Sequence, residues 1–249
     1  HAEDDPLSGL PGVGVAYKVI EALFTRAGRT AELESCLDLV AVGIVADLAL
    51  QRWDTRYLLQ RGLEVLRSTE RPGFLALADN AGVKLDLLND EDIGFQIGPR
   101  LNAVGRLSDA NVSVPLLTTS DETQAKEIAD QLERLNEERK FETAVVYDSA
   151  AAQVQQEPSL RQYAALVLAN PLWHEGVIGI VASRLVHEFG KPTIMLTTPE
   201  GKPARGSARS VEGYHITRAI ATQSEILIGC GGHPMAAGLS LDADNVEAF

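Results

Sequence analysis

Four short stretches of the sequence combine polar side chains with small residues in patterns that support chemistry. The first is an almost wholly apolar ten-residue run, Leu37–Ala46, which is followed by a single carboxylate, Asp47. The run predicts a buried element of either helical or strand type. Because a carboxylate is seldom buried without a partner, Asp47 is either a ligand of a hard cation such as Mn²⁺ or Mg²⁺ or a residue that ends a helix.

The second stretch, residues 94–106, combines glycines and a proline with one amide and two arginines, Arg100, Asn102 and Arg106. This composition predicts a loop that presents side chains to an anion, because the arginine fork matches phosphate oxygens. The alternative is a turn whose arginines are solvated or paired with Asp109 or Glu91.

The third stretch, residues 202–210, alternates small residues with donors of hydrogen bonds to phosphate, among them Arg205, Ser207 and Arg209. Small residues let a backbone approach a ligand closely, and such donors position a nucleic-acid backbone without reading its sequence. The alternative is a solvated edge strand that its charges protect against self-association.

The fourth stretch, residues 229–238, surrounds His233 with small residues, including Gly231 and Gly232. A lone histidine is more often structural, but a glycine-dense turn offers it little apolar packing. The pattern therefore predicts that His233 donates to a phosphate or acts in proton transfer.

The elements that would carry these stretches follow from hydrophobic periodicity. Residues 1 to about 118 read as helix-rich, and residues 120–156 read as one long amphipathic helix with Ser120 as its N-cap. In the rest of the chain, the pattern predicts a strand at 164–168, a helix at 177–186 and a strand at 192–196. It also predicts further strands at 206–210 and 236–241. A strand–helix–strand order favours a sheet that is at least partly parallel.

Composition excludes several classes of protein. The 249 residues are 45% hydrophobic and 23% charged, which is typical of a soluble globular chain, and no apolar run is long enough to span a membrane. The acidic N-terminus is unlike a signal peptide, and two cysteines cannot form a disulfide framework or a cysteine zinc site, so we expect a cytoplasmic location. The net charge of −13 argues against a non-specific nucleic-acid coat, although residues 184–218 carry a net charge of +3.

Three common motifs are also excluded. Gly12-Val13-Gly14 is followed by Tyr17 where a dinucleotide fingerprint needs its third glycine. No Walker-A pattern occurs, and Ile178 stands where a zincin helix beginning at His174 needs its second histidine.

The four stretches, in this order, resemble the DHH phosphoesterase superfamily, and specifically its RecJ-type single-stranded-DNA exonucleases. The segments that carry the resemblance are Leu10–Lys18, Val42–Asp47, Ile97–Arg106, His174–Arg184, Gly206–Ser210 and Gly231–Gly238. The Gly-Gly-His-Pro segment indicates the superfamily, whereas the arginine stretch and the His-Glu-Gly segment are more specific to RecJ.

The resemblance implies an α/β fold in three parts. Residues 1–118 would be the helix-rich C-terminal part of a DHH domain, residues 119–156 a long connecting helix, and residues 157–249 a smaller DHH-associated domain with a mixed sheet. The family's active cleft lies between the two domains, where Asp and His ligands bind Mn²⁺ or Mg²⁺ and a metal-activated water attacks a phosphodiester.

The chain departs from the family pattern at its first three motifs. The Asp-rich strand end, the next Asp and the Asp-His-His triplet are absent, and only Asp47 matches a metal ligand. The sequence also begins without Met. We therefore expect a piece of a RecJ-type protein that lacks the N-terminal motifs, with an incomplete metal site and little or no activity by itself.

The resemblance also implies roles for individual residues. Asp47 would be a metal ligand, His233 a catalytic residue near the scissile phosphate, and His174 either a helix cap or a cleft-lining residue. Contacts to the phosphates of DNA would come from Arg100, Asn102, Arg106, Arg205, Ser207, Arg209, Gly231 and Gly232.

The function that follows is part of a metal-dependent 5′→3′ exonuclease for single-stranded DNA in repair and recombination. A DHH phosphodiesterase for short oligonucleotides or cyclic dinucleotides is one alternative, and a non-catalytic nucleic-acid-binding or scaffold protein of the same fold is another. The partners would be single-stranded DNA and a single-strand-binding protein, with no membrane, and the chain would be a monomer.

Overall fold

A computed structural model of the chain describes residues 7, 9–107 and 110–249. The chain divides into two compact units, one ending at Asn136 and one beginning at Glu137. Within the described residues, no helix is both long and apolar enough to cross a membrane. Asp109, a predicted partner of the arginines, lies outside the described residues.

The first unit is helical. Its helices are α1 (Gly12–Arg26), α2 (Leu37–Ala46), α3 (Trp53–Arg67), α4 (Pro72–Ala81), α5 (Asp90–Asp92), α6 (Gly98–Leu107) and α7 (Ser113–Thr118), with a π-helical turn at Ile93–Ile97 between α5 and α6. The prediction of a helix-rich region is confirmed. The stretch 94–106 is part of this run of helices, so the prediction that it is a loop was wrong.

Helix α2 lies at the centre of the first unit. It is buried on nearly every side, and its buried apolar residues are Leu37, Val40, Ala41, Val42, Ile44 and Val45. Helix α3 crosses it closely, since a Cβ added to Gly62 would lie 2.4 Å from the carbonyl oxygen of Leu37. The apolar run is therefore a core helix, which decides between the two alternatives that its composition left open.

A buried ion pair ties α2 to the segments around it. Asp38 is 2% exposed, and its Oδ2 accepts a hydrogen bond from Arg71 Nε at 2.9 Å. The same guanidinium donates to the carbonyl oxygens of Leu117 at 2.8 Å and Ser35 at 3.2 Å. Because the charge of Asp38 is matched and all these donors are used, the pair joins three parts of the unit without leaving an unpaired buried charge.

Helix α8 runs from Glu122 to Gln156, as the sequence predicts. Its start is capped by Asp121, whose Oδ1 accepts from the backbone N–H groups of Thr123 and Gln124, so the prediction of Ser120 as the N-cap was wrong. The helix contributes Ala125, Ala129 and Leu132 to the core of the first unit and Val146, Ala150 and Val154 to a core of the second. The domain boundaries at residues 118 and 157 stay a prediction.

The second unit is built on a five-stranded sheet. Its elements in chain order are β1 (Leu166–Asn170), α9 (Glu175–Phe189), β2 (Thr193–Thr197), β3 (Ala204–Arg209), α10 (Ile216–Ala221), β4 (Leu227–His233) and β5 (Ala236–Leu241). The strand order is β1-β2-β3-β5-β4, with β1 parallel to β2 and the other neighbours antiparallel. The predicted α/β class with a mixed sheet is confirmed, as is the strand–helix–strand order of β1, α9 and β2.

Strand β4 corrects the sequence-based description. Residues 229–233 were predicted to be part of a glycine-dense turn, but they pair with β5 over Gly229–His233. The error has a physical cause: glycines carry no hydrophobic alternation, so the strand is specified by its hydrogen-bonded neighbour and not by its own pattern.

Each face of the sheet has its own core. One face packs Leu166, Leu168 and Met195 against apolar residues of α8 and α9. The other face buries apolar residues of β2, β3, α10 and β5, namely Ile194, Leu196, Ala204, Ala208, Ile216, Ile220, Ala237, Leu239 and Leu241. Strand β3 therefore needs small residues on its buried side, and it supplies Ala204, Gly206 and Ala208.

A pair of glycine substitutions tests this packing. A Cβ at Gly206 would lie 2.5 Å from Leu239 Cδ2 and 2.6 Å from Leu196 Cδ2, whereas one at Gly231 would meet nothing within 4 Å. We expect Gly206→Ala to lower the free energy of unfolding by about 1–3 kcal/mol through overpacking. Gly231→Ala should change it by no more than about 0.5 kcal/mol. Urea unfolding monitored by circular dichroism measures both, and equal effects would contradict the assigned faces.

Candidate nucleic-acid interface

The register of the sheet places four of the predicted phosphate-binding residues, Arg205, Ser207, Arg209 and Gly231, on one face. Directly paired residues of antiparallel strands share a face, and successive residues of one strand alternate. Three rows across β3, β5 and β4 result: Arg205–Ser240–Gly229, Ser207–Gly238–Gly231 and Arg209–Ala236–His233. We call this surface the arginine face. It joins the third and fourth stretches of the sequence, which are separated in the chain by the 18 residues 211–228.

Helix α9 approaches the arginine face at β3. A Cβ added to Gly179 would lie 2.7 Å from Ser207 Oγ and 2.9 Å from Arg209 Nη2, so a side chain at this helical position would displace both groups. Arg209 Nη1 donates to Ser207 Oγ at 3.0 Å and to the carbonyl oxygen of Ala208 at 2.8 Å. The guanidinium and the hydroxyl are therefore held side by side under the helix.

The start of α9 contributes a second set of polar groups. His174 is the N-cap, and its Nδ1 accepts from the backbone N–H of Gly176 at 3.1 Å. Glu175 lies 3.7 Å from Arg205, and both side chains are exposed. This exposed pair is weak. His174 thus fulfils the capping role that was one of its two predicted roles, and Arg205 stays accessible at the edge of the arginine face.

The arginine face continues over β5 and β4 as a surface of small residues. Gly229, Gly231 and Gly238 are exposed, and a Cβ at Gly231 or Gly238 would meet nothing within 4 Å. Gly232 faces the opposite side, because it pairs with Ala237. Gly232 has a φ of +148°, and a Cβ added to it would lie 2.3 Å from the carbonyl oxygen of Ala236. The backbone at this position therefore requires glycine.

His233 ends β4 on the arginine face. It is exposed, and its carbonyl oxygen accepts a hydrogen bond from Thr217 Oγ1 at 2.6 Å. Its row contains Arg209 two strands away, a distance of about 10 Å between backbones from the usual strand spacing. The histidine is thus a strand-end residue with a fixed main chain and an accessible ring.

Arg100 lies in a different environment from the one predicted. It is 7% exposed, its Nε and Nη2 donate to the carboxylate of Glu133, and its Nη1 donates to the carbonyl oxygen of Gln96 at 2.7 Å. The sequence suggested Asp109 or Glu91 as partners, and the structure pairs it instead with a residue of α8. These bonds favour a structural role for Arg100 within the first unit.

Asn102 and Arg106 lie on α6 and are exposed. Desolvation by nearby protein groups lowers the pKa of the Arg106 guanidinium from its ordinary value, although an arginine stays charged at neutral pH. The structure does not bring these two residues into one cluster with Arg100, whose side chain is turned into the protein. Their predicted phosphate contacts stay predictions.

Asp47 is the C-cap of α2 and is exposed, so it ends the helix, which was one of its two predicted roles. Among the described residues, no group of three or more His, Cys, Asp or Glu side chains is arranged to hold a metal ion. One carboxylate does not fit a divalent ion that takes about six oxygen ligands. Asp47 can supply one ligand to such an ion and cannot hold the ion alone.

The sequence reasoning missed several residues that shape these surfaces. Gly179 carried no signal, because its role depends on which strand lies under the helix. Trp53 follows Asp47 after one loop, and Tyr57 follows Trp53 after one helical turn. Both side chains are strongly exposed. The unusual order of a tryptophan and two arginines after an apolar helix was a signal that could have been used.

Comparisons with known proteins agree with this fold. A family model described as "DHHA1 domain" matches residues 161–249, which contain the whole sheet. The Gly-Gly-His-Pro segment lies within the matched residues, at the end of β4.

The resemblance to RecJ-type proteins is also confirmed. The single-stranded-DNA-specific exonuclease RecJ of Bacillus subtilis (strain 168) is 42% identical over 242 residues, which are 97% of this chain and 30% of that protein. RecJ of Escherichia coli (strain K12) is 36% identical over 261 residues, which are 98% of this chain and 45% of that protein. The chain thus spans less than half the length of these relatives.

Solved structures show the same relation. RecJ from Thermus thermophilus in complex with Mg²⁺ has a TM-score of 0.85 and 29% identity, covering 99% of this chain and 38% of that one. An exonuclease RecJ bound to manganese has a TM-score of 0.80 and 30% identity, covering 100% of this chain and 61% of that one. The fold described here is therefore shared with one part of the RecJ fold.

The two arginine environments lead to a stability prediction. We expect Arg100→Ala to lower the free energy of unfolding by about 3 kcal/mol, because it leaves the half-buried Glu133 carboxylate without its partner. Arg205→Ala should change it by less than about 0.5 kcal/mol, because its pair is exposed. Urea unfolding provides the comparison. A stable Arg100→Ala variant with weakened affinity for DNA would return Arg100 to the phosphate-binding residues.

Proposed function

We propose that this chain is part of a metal-dependent exonuclease that degrades single-stranded DNA from the 5′ end, in DNA repair and recombination. The similarity to RecJ proteins over nearly all of the chain supports this proposal. The observation that carries it is the arginine face, where Arg205, Ser207 and Arg209 share one side of the sheet with an open surface of glycines.

The arginine face suits a nucleic-acid backbone. Arg205 and Arg209 supply charged donors to phosphate oxygens, and Ser207 supplies a hydroxyl next to Arg209. Gly231 and Gly238 let the sugar–phosphate chain approach the sheet closely. Because these groups bind phosphates, the binding would be independent of base sequence, as an exonuclease that degrades strands of any sequence requires.

His233 would act beside this backbone contact. Its ring is exposed at the end of β4 in the row of Arg209, so a phosphate held by the arginine lies on the same face as the imidazole. We propose that the ring donates a hydrogen bond to the phosphate next to the one that Arg209 holds. Such a donor stabilises negative charge on phosphate oxygens.

Asp47 would supply one metal ligand, and the other ligands would come from other parts of a longer protein. Mg²⁺ and Mn²⁺ are the ions present in the RecJ structures to which this chain is similar. Since one exposed carboxylate does not fit a divalent site, we assign no hydrolytic step to this chain. By itself it is expected to bind single strands without degrading them. We also propose that the protein is a cytoplasmic monomer and that a single-strand-binding protein is its partner.

Affinity for an oligothymidylate tests the arginine face. The wild-type chain should bind the labelled strand at low salt, leave its length unchanged on a gel with Mn²⁺, and lose affinity steeply with added salt. Arg205→Gln and Arg209→Gln should each lower the affinity and reduce the slope of log K against log salt by about 0.7, since each removes one phosphate contact. Fluorescence anisotropy across a salt series measures both quantities.

The matched control is Arg29→Gln, which removes the same charge from an exposed pair with Glu32 in the first unit. It should leave the salt slope unchanged. Equal effects of all three variants would mean that the net charge and not the arginine face governs binding. Release of mononucleotides by the isolated chain would contradict the assignment of binding without hydrolysis.

Gly179→Ala tests the geometry without removing a charge. Alanine favours a helix more than glycine does, and the groups it would displace are the ends of the Ser207 and Arg209 side chains, so the fold should be retained. We expect an unchanged or slightly raised midpoint of urea unfolding and an affinity lowered about as much as in Arg209→Gln. Gly12→Ala, at an open helical position of α1, is the control. If Gly179→Ala bound the strand with unchanged affinity, the positions of Ser207 and Arg209 under α9 would not matter for binding, and this part of the proposal would be contradicted.

A further inference from the structure

One face of α3 is turned away from the protein and is unusually rich in aromatic surface. Its outward residues are Trp53, Arg56, Tyr57 and Gln60, all exposed, and we call them the α3 outer face. Trp53 is 85% exposed and Tyr57, one turn later, is 61% exposed. The buried residues of the same helix begin with Thr55, Leu58 and Leu59 on the opposite side, so packing of this unit does not explain the aromatic pair.

The backbone holds Trp53 in this exposed position at a cost. Within the described residues, the non-glycine residues with positive φ are Leu48, at +53°, and Trp53, at +40°. They bound the loop between Asp47 and α3. Left-handed conformations are unfavourable for large side chains, and such outliers cluster at binding sites. The strained residue here carries an indole ring that lies in solvent, one loop away from Asp47.

Two arginines lie at the α3 outer face, and neither has a carboxylate partner among the residues that the structure describes. Arg52, which precedes the helix, and Arg56, on the face, are exposed and form no ion pair with any described residue. By contrast, other arginines of this unit are paired with carboxylates, namely Arg29, Arg61, Arg71 and Arg100. Asp54 lies about a quarter turn from Trp53 around the helix axis and does not pair with either arginine.

We propose that the α3 outer face is a stacking surface for the bases of single-stranded DNA. This inference rests on the proposed function and adds a second contact, made to bases, to the phosphate contact of the arginine face. Bases stack on aromatic rings whatever their identity, and neighbouring arginines meet the phosphates between them. The four residues of the α3 outer face include no aliphatic side chain, and the exposed Leu48 and Leu50 lie in the loop before the helix. The aromatic rings together with Arg52 and Arg56 favour a nucleic acid over an apolar protein surface.

The two tryptophans of the chain make this inference directly measurable. Trp173 is 4% exposed in the second unit, and its Nε1 donates to Ser149 Oγ at 3.0 Å. In the Trp173→Phe variant, Trp53 is the sole tryptophan. Titration with an oligothymidylate should quench its emission and shift it to the blue, because stacking removes the ring from water. In Trp53→Phe, the emission of the buried Trp173 should stay nearly constant.

The decisive comparison uses an oligothymidylate and an abasic strand of equal length, which have the same phosphates. Wild type should bind the oligothymidylate more tightly. Trp53→Ala should lose affinity for the oligothymidylate by roughly five- to a hundredfold and keep its affinity for the abasic strand. Trp53→Phe should retain most of the difference. Tyr163→Ala, which removes another exposed aromatic ring from the second unit, is the matched control and should behave as wild type.

The outcomes separate this inference from the proposed function. Arg205→Gln should weaken binding of both strands equally. Unchanged oligothymidylate binding in Trp53→Ala with a weakened Arg205→Gln variant would overturn the stacking surface and leave the arginine face in place. Unquenched Trp53 emission, or loss of self-association in Trp53→Ala with DNA binding intact, would assign the face to a protein contact and overturn the inference. No binding of either strand at low salt would overturn both proposals.

Discussion

The alternation of side chains along β3 is the constraint on which the second unit depends. Three small residues of this strand enter a core made with β2, β5 and α10, and the three residues between them face the other side. A strand of six residues thus closes a core and presents two arginines and a serine. A slip of one residue would bury Arg205, Ser207 and Arg209 and expose the alanines, so burial of the small residues enforces the register.

Small residues serve this unit in two distinct ways. Gly206 and Gly179 are small because neighbouring groups occupy the space: apolar side chains of β2 and β5 in the first case, and the ends of Ser207 and Arg209 in the second. Gly231 and Gly238 have open space above them instead. The first kind stabilises packing and position, and the second kind leaves room for a molecule that the protein does not contain.

The arginines of the first unit fall into two classes according to the groups that they contact. Arg71 and Arg100 are committed to carboxylates and carbonyl oxygens inside the unit, where they join α2, α4, α7, α6 and α8. Arg52 and Arg56 stay outside beside two exposed aromatic rings. Residue type alone does not separate these classes, since each is an arginine near a helix end. The two classes differ in whether a carboxylate of another segment lies within reach in the interior, because such a carboxylate compensates the cost of burying the charge of the arginine.

The sequence by itself determined the elements that carry hydrophobic periodicity. Helices α8 and α9 and strands β1, β2 and β5 could be predicted to within a few residues, because apolar residues recur at helical spacing in the helices and form short apolar runs in the strands. The local motifs also indicated phosphate chemistry at Arg205, Ser207 and Arg209. Tertiary structure alone decided that Gly229–His233 form a strand, that Arg100 is buried against Glu133, and that Asp47 is exposed. The burial of Arg100 depends on a carboxylate 33 residues further along the chain, the strand Gly229–His233 depends on its pairing with β5, and the exposure of Asp47 depends on the packing at the end of α2. No local residue pattern encodes these contacts.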